Sequence, residues 1–539
     1  MSIKNSTKKS NKKSNKKYND KSNKKSNNRS NSKSRKEYVD VDVKNTDSSE
    51  IEIFNVDDSY KNNKKQNREQ NREQSRDQSR DHDIAQNPGQ IINRYKPYVM
   101  LLNDNVESDI MNSDPKLTLS QNIDYPMCSL GFQHYIHANK NKMEILKQFE
   151  GKKKIYLVMN DFERYVDNYD NNIGNISEIF FDIKKDNKPN ILSRGFYKLW
   201  EILHMFDLID TKKTKFVSAH LAEGPGSFIQ ATMFYRDLYS KNSKNDKYYA
   251  VTLHKEDEKQ YVPQLEESFI AHYKKEKPIR FHLHQTYPKQ VAGFSDDKDN
   301  GDITDPKTIG LFGGQMGEEK ADFITADGGF NWNNENTQEQ EALRLIIAQI
   351  YGAISRQAKG GSFVCKFFET FTNISCRLIL LLTQMYEKVY FVKPLMSRLS
   401  NSEKYCVCIN FKLNDKDKIY QTITKQLESI MKQLHNEPDL EITKLWSDVK
   451  LPELFTKKMI YSNTHIANHQ LKSINEIVEF IKLQNYHGDA YQMHRQLQID
   501  ASKYWIDNFM SNNKNNEEHI TKLHNIAQTI NEHHLHKVK

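Results

Sequence analysis

The sequence predicts an α/β protein with a seven-stranded, doubly wound, Rossmann-like sheet, a low-complexity N-terminal tail and a helical C-terminal extension. Three observations predict it. Short apolar runs alternate with helix-period segments from Lys215 to Lys412. The first run, Phe216–Leu221, breaks at Glu223-Gly224-Pro225-Gly226 and resumes as a helical pattern through Phe228, Ile229, Ala231, Met233, Phe234 and Leu238. On both sides of this stretch the composition changes.

The tail comes first in the chain. Met1 to Asn87 consists of KSNKKSNKK-type and NREQNREQSRDQSRD repeats almost free of apolar clusters, too polar to offset the entropy of ordering, so residues 1–90 are expected to be disordered. The formal charge of +9 belongs to this tail: Met1–Lys36 holds fourteen Lys/Arg against Asp20, and the rest of the chain sums to −4. Two readings stand for it, a non-specific RNA tether through phosphate contacts and a solvating tail. No apolar run approaches a membrane span and the basic start lacks a signal-peptide apolar region, so the chain is expected to be soluble and intracellular, cytoplasmic or nuclear. Five cysteines without a CxxC pair argue for buried thiols rather than a zinc site or a disulfide framework.

Residues 91–190 contain scattered apolar segments, Tyr98–Leu102 and Ile155–Met159 among them, and read as an accessory region. Leu192–Asp207 predicts an amphipathic helix burying Phe196, Leu199, Trp200, Leu203 and Met205 or Phe206, with Ser193 as its cap. Lys198 lies on it. After the glycine turn, strands are expected at Tyr248–Leu253, Ile279–His284 and Ala321–Asp327, the last followed by Gly328-Gly329. A helix over Gln338–Ala358 is expected to end at Gly360-Gly361. Then come a strand over Ser362–Phe368 with Lys366, an apolar helix over Leu378–Tyr386, and strands at Tyr390–Val392 and Tyr405–Phe411 close enough for an antiparallel hairpin. From residue 413 the chain turns Lys-, Gln- and His-rich, with helices expected at Ile419–Leu434, Ile474–Leu483 and Ala490–Met510; Tyr491, Tyr504 and Trp505 read as core residues or as base-stacking aromatics.

In an open α/β sheet a glycine turn at the carboxyl end of a strand lets a nucleotide-like ligand approach the backbone; the alternative is a tight βα connection. The pieces downstream favour the ligand. Lys198 in SRGFYKLWEIL, the EGPGSF turn, ADGGF with Asp327, GGSFVCKFFETFT with Lys366 and SRLSNSEKYCVC with Glu403 together resemble the ordered motifs of the FtsJ-type RNA ribose 2′-O-methyltransferases, over about residues 191–412. ADGGF and GDITDPKTI resemble the cap-specific mRNA enzymes of the Adrift type and their large-DNA-virus relatives more than the ribosomal enzyme. The resemblance implies S-adenosylmethionine as cofactor and no metal. It puts the cofactor's methionine end at Glu223, Gly224, Pro225 and Gly226, its adenine at Asp302, and Asp327 beside both cofactor and nucleophile. It also implies a Lys198–Asp327–Lys366–Glu403 tetrad, with Lys366 the base, Asp327 its principal partner, and Lys198 and Glu403 orienting groups. The turn departs from many relatives in reading GPGS, and the second strand ends Thr252-Leu253-His254-Lys255 with no acid at its tip.

Chemistry asks for these residue types independently. A ribose 2′-hydroxyl is a poor nucleophile and needs a base beside it. A second lysine near a base lysine favours the neutral form, while carboxylates fix both heads. A structural buried ion-pair network fits the same four residues but not their placement at strand ends. Three functions follow: a cap-proximal mRNA 2′-O-methyltransferase acting on capped RNA, a ribosomal RNA ribose methyltransferase, and a non-catalytic RNA-binding or scaffold protein. The intact tetrad favours an enzyme. The codon-biased composition and the low-complexity tail lean toward a large DNA virus, with a virus factory or virion as the setting.

Overall fold

The computed structural model describes residues 95–538 apart from 128–129, 150–158, 163–175, 254–263, 285–299, 330–333 and 511–516. The basic tail, most of Ile155–Met159, Cys128 and Phe330 lie outside the described residues. In chain order, β1 (Tyr98–Leu101), β2 (Thr118–Ser120), α1 (Leu130–Asn141) and α2 (Ile176–Phe180) precede α3 (Arg194–Phe206). The alternating part then runs β3 (Val217–Leu221), α4 (Ser227–Tyr239), β4 (Lys247–Val251), α5 (Glu267–Lys274), β5 (Phe281–Leu283), α6 (Pro306–Met316), β6 (Ala321–Ala326), α7 (Gln338–Arg356), β7 (Gln357–Phe367), α8 (Asn373–Met385), β8 (Tyr386–Lys393) and β9 (Lys404–Phe411). After it come α9 (Lys418–Asn436), β10 (Glu441–Lys444), α10 (Glu453–Lys482), α11 (Gly488–Phe509) and α12 (Glu517–Val538).

The sheet order is β1-β8-β9-β7-β6-β3-β4-β5. From β5 to β7 the strands are parallel, and β9 runs antiparallel to both β7 and β8, which is the hairpin expected of the last two strands. These seven are the strands read from the alternation. An eighth, β1, pairs antiparallel with β8 and comes from the region ahead of the alternation. Strand order reverses between β3 and β6, so the crevice at their carboxyl ends is where an open α/β sheet binds ligands.

The boundaries follow local chemistry. Ser193 accepts from Gly195 N and starts α3, and Phe196, Leu199, Trp200, Leu203 and Met205 are all buried, leaving Phe206 as the partly covered alternative. Gly360 and Gly361 do not end a helix. α7 stops at Arg356 and both glycines lie inside β7, where the register against β6 shifts: Ala321 pairs Gln357, but Phe323 pairs Ser362. Gly360 has φ +79°, and a Cβ on Gly361 would come within 2.8 Å of Asp322 O, so glycine is required at this irregularity.

The flanks share the core of the sheet. One buried cluster joins Tyr98, Met100 and Ile110 to α7, α8, α9 and the start of α10, and β2 pairs with β10. On the other face Trp505 is fully buried, packs edge-on to Tyr197 at 5.5 Å and lies over α3, so it is a core residue and not a stacking platform. Cys365, Cys376, Cys406 and Cys408 are buried free thiols. Among the described residues no helix is long and apolar enough to cross a membrane.

Glu201, on α3 and fully buried, ties three elements: it accepts from Leu395 N (2.7 Å), Met396 N (3.3 Å) and Trp505 Nε1 (3.3 Å). Burial pushes its carboxyl up to about 7, against the hydrogen bonds from Leu395, Trp505 and Met396. The folded protein therefore keeps a proton that the unfolded chain releases above its ordinary value of 4.5. The resulting stability is complete below that value and is lost as pH rises to about 7, on the order of 3 kcal/mol. Thermal melts of wild type and Glu201→Gln at pH 5 and pH 8 are expected to show a steeper alkaline loss in wild type. Equal slopes would exclude Glu201 as the source.

Candidate active site

The β3–α4 turn is built around a buried acid. Gly226, at φ +110°, caps α4 without a side chain, and a Cβ there would press on Leu265 and Leu192 at 3.0 and 3.1 Å. Glu223 does what a cap side chain would: its Oε1 accepts from Ile229 N at 2.7 Å, inside the first turn of α4. Gly224 N donates to Thr252 Oγ1 at 3.1 Å, tying the turn to the end of β4. Among the described residues Glu223 Oε2 has no hydrogen-bond partner, and His220 Nδ1 lies 4.0 Å from it. Burial first, then the charge of Asp327, push the Glu223 carboxyl well above the usual range, against the hydrogen bonds from Ile229 and Phe228. Burial drives His220 down to about 3, and it is occupied by Thr325 Oγ1 and Ser218 Oγ.

One strand over, Asp327 directly follows β6. Register places Lys366 level with it, because Ala326 pairs Cys365. Lys366 Nζ lies 3.1 Å from Asp327 Oδ1 and donates to Asp327 O at 2.8 Å. On the other side Lys366 pairs Tyr405 of β9, whose hydroxyl donates to the same Oδ1 at 3.1 Å. The glycines of ADGG make room: a Cβ on Gly329 would sit 3.2 Å from Lys366 Nζ, and one on Gly328 2.5 Å from Gln349 Oε1, which accepts from Gly328 N.

Glu403 precedes β9 and therefore sits at the same sheet edge. Lys198 Nζ reaches it from α3, 2.7 Å from Oε1 and 2.9 Å from Oε2, with both side chains at least 85% buried. Ser397 Oγ donates to Oε1 at 2.8 Å, and Lys393 Nζ to the Glu403 carbonyl at 2.7 Å. Burial works to raise the Glu403 carboxyl, but Lys198, Lys366 and Lys393 together hold it well below the carboxylate range. That Lys366 acts on Glu403 makes the two pairs one electrostatic cluster. Burial lowers Lys393 to about 7, with Glu403 pulling the other way.

The structure thus brings Lys198, Asp327, Lys366 and Glu403 together, with Glu223, Gly224, Pro225 and Gly226 at the neighbouring strand end. Asp302 belongs to a separate segment. It lies in the turn ahead of α6, where Oδ1 accepts from Thr304 N and Oγ1 (3.0 and 2.7 Å) and its carbonyl accepts from Asp305 N, bonds that stay within that turn. Tyr405, Ser397 and Lys393 were not anticipated. Tyr405 had a usable signal, since a tyrosine two residues after an edge carboxylate shares its face of the strand.

Residues 191–411 match the model of the FtsJ-like methyltransferase family. Cap-specific mRNA (nucleoside-2′-O-)-methyltransferase 2 of Drosophila melanogaster is 27% identical over 369 residues, which are 67% of this chain and 45% of the fly protein. Cap-specific mRNA (nucleoside-2′-O-)-methyltransferase 1 of Ailuropoda melanoleuca is 34% identical over 189 residues, 34% of this chain and 22% of that one. Uncharacterized protein L511 of Acanthamoeba polyphaga mimivirus is 31% identical over 234 residues, 43% of this chain and 27% of that one. The chain spans less than half the length of each of these relatives.

Proposed function

We propose, from the premise that residues 191–411 form an FtsJ-like methyltransferase domain, that this chain methylates the ribose 2′-hydroxyl of a cap-proximal nucleotide in mRNA, using S-adenosylmethionine. The observation that carries the reading is the joined pair of lysine–carboxylate contacts, Lys366–Asp327 and Lys198–Glu403, at the carboxyl edge of the sheet. The cap-specific assignment draws support from the names of the Drosophila and Ailuropoda relatives.

The turn is compatible with the cofactor, because Glu223 Oε2 is a buried polar atom without a hydrogen-bond partner among the described residues, a place that the amino group of the methionine end would fill. Glu223, Gly224, Pro225 and Gly226 would hold the methionine end, with Asp302 as the proposed adenine contact. When bound, S-adenosylmethionine supplies a methyl group on a sulfonium sulfur. Lys366 Nζ receives the proton of the 2′-hydroxyl. Asp327 Oδ1, steadied by the Tyr405 hydroxyl, fixes that amine, and Lys198 and Glu403 hold the ribose side of the site in place.

Tritiated methyl transfer to matched RNAs that are capped, uncapped or 2′-O-premethylated tests the proposal. Label is expected in capped RNA and absent from the premethylated one. Equal labelling of uncapped RNA would overturn the cap-specific part, and no labelling of any RNA would overturn the activity.

The N-terminal tail enters as a second, separable element. Deleting Met1–Lys36, which removes a net +13, is expected to raise the KM for RNA and flatten its salt dependence with kcat unchanged, since phosphate neutralisation is a uniform binding contribution. A fall in kcat at saturating RNA would assign the tail a part in catalysis instead.

A further inference from the structure

We infer that Lys140 is a positioning residue: from α1, outside residues 191–411, its ammonium clasps the two loops that follow Asp327 and Lys366 and so fixes the spacing of that pair. For its effect on rate, the inference rests on the methyl transfer proposed above.

The sheet leaves a clasp to be supplied. The parallel ladder between β6 and β7 ends with Ala326 against Cys365, one residue short of Asp327 and Lys366. Beyond it the chain after β6 leads to α7 and the chain after β7 to α8, so the two side chains are held only as firmly as the loops behind them.

Lys140 lies across both loops. Its Nζ donates to Glu335 O in the β6–α7 connection, and to Glu369 Oε1, three residues after Lys366, at 2.9 Å. Each loop has a second tie to the same end of α1: Asn336 Nδ2 donates to Asn141 Oδ1 at 2.9 Å, and His137 Nε2 lies 3.3 Å from Glu369 Oε2. The Lys140 and Glu369 side chains are 7% and 2% exposed, so solvent screens the pair little. Burial works to raise the Glu369 carboxyl, but the hydrogen bond with His137 and the charge of Lys140 hold it below the usual range.

Both ends of the clasp are anchored. α1 is seated on α10, with Ile136 buried against Ala467 and Leu471 and Lys142 Nζ reaching Asn475 Oδ1 at 3.2 Å. On the other side, Phe368 stands between Glu369 and the site. Its ring centre is 5.4 Å from Lys366 Nζ, and its carbonyl accepts from the buried Lys404. A displacement of Glu369 is therefore passed through Phe368 to Lys366, and a misplacement of about 1 Å at a reacting group costs about 10²-fold in rate. A purely structural tie would lower the melting temperature and leave the turnover of folded protein alone.

The test is the full chain with Lys140→Met, Lys140→Arg and Lys140→Met/Glu369→Gln, the last of which leaves no buried carboxylate facing the lost ammonium. The readings are thermal melts, tritiated methyl transfer to capped RNA well below those melts, and backbone hydrogen exchange over 334–337 and 368–372. Lys140→Met is expected to lower kcat by about 10²-fold with unchanged KM for RNA and for S-adenosylmethionine, and to speed exchange in both stretches. Lys140→Arg is expected to recover most of kcat, and the double variant to melt near wild type while its kcat stays low. Three results would each overturn the inference: wild-type kcat in folded Lys140→Met, a double variant whose kcat returns together with its melt, or a raised RNA KM at unchanged kcat, which would make Lys140 an RNA contact. If wild type methylates no RNA, exchange decides alone. Faster exchange in both stretches of Lys140→Met but not of Lys140→Arg keeps the clasp while the proposed activity falls, and unchanged exchange removes the clasp as well.

Discussion

Lys366→Ala is expected to lower methyl transfer by about 10²–10⁴-fold while S-adenosylmethionine still binds, because a positioned acid–base group contributes on that scale. The two proposed roles fall to different residues. Lys366 Nζ contacts Asp327 Oδ1 and O, and the buried acceptor of the glycine turn is on Glu223. Transfer of tritiated methyl and calorimetric titration of the cofactor on the same preparation provide both readings. Lys366→Met controls for folding, since it keeps the bulk of the side chain among Phe368, Tyr405 and Gly329. Activity above about a tenth of wild type in a folded variant would remove Lys366 from the role of base.

The sequence made the strand ends readable and left unreadable what packs across them. The pairing of Lys366 with Asp327 came from the family resemblance; what the alternating pattern made legible is that each stands at the carboxyl end of a strand, where parallel register puts them level. Ser193 and the buried side of α3 were equally legible, since capping and helical period are local. Lys393 and Ser397 were not. Their link to Glu403 arises from the β8–β9 connection folding back on itself, which no periodicity encodes. Gly360-Gly361 was misread because a glycine pair after a helix has the same local signature whether it stops the helix or permits a bulge; only the shifted pairing with β6 decides. β1 escaped for a related reason: Tyr98–Leu101 is a four-residue apolar run, and its partner β8 lies almost three hundred residues away. α12 is a missed helix although Leu523, Ala527 and Ile530 recur at helical spacing and are all buried, within an otherwise glutamate-, histidine- and lysine-rich stretch.

The Lys198–Glu403 pair yields the sharpest separation between a structural and a catalytic role. Glu403 is buried and held ionised by Lys198, Lys366 and Lys393, so Glu403→Leu alone leaves Lys198 without its carboxylate in a site that is largely closed to water. Loss of one partner from such a pair is expected to cost about 3–5 kcal/mol, read as an early thermal melt. Because the folded-state carboxyl is depressed, the stability it gives wild type is complete above the ordinary carboxylate range and is lost as pH falls through that range and below it. Glu403→Leu should therefore also lose the acid-side slope of the melting curve. In the double variant Lys198→Met/Glu403→Leu the Lys198 charge goes with its partner, and exchanging a buried pair for apolar groups of similar volume is often neutral, so most of the lost melting temperature is expected to return. The rate is expected to stay low, since the two groups proposed to orient the ribose beside Lys366 are gone. A double variant that melts like wild type and also methylates like wild type would reduce Lys198 and Glu403 to scaffolding. In that case catalysis would rest on Lys366 and Asp327, with the Tyr405 hydroxyl as their remaining support.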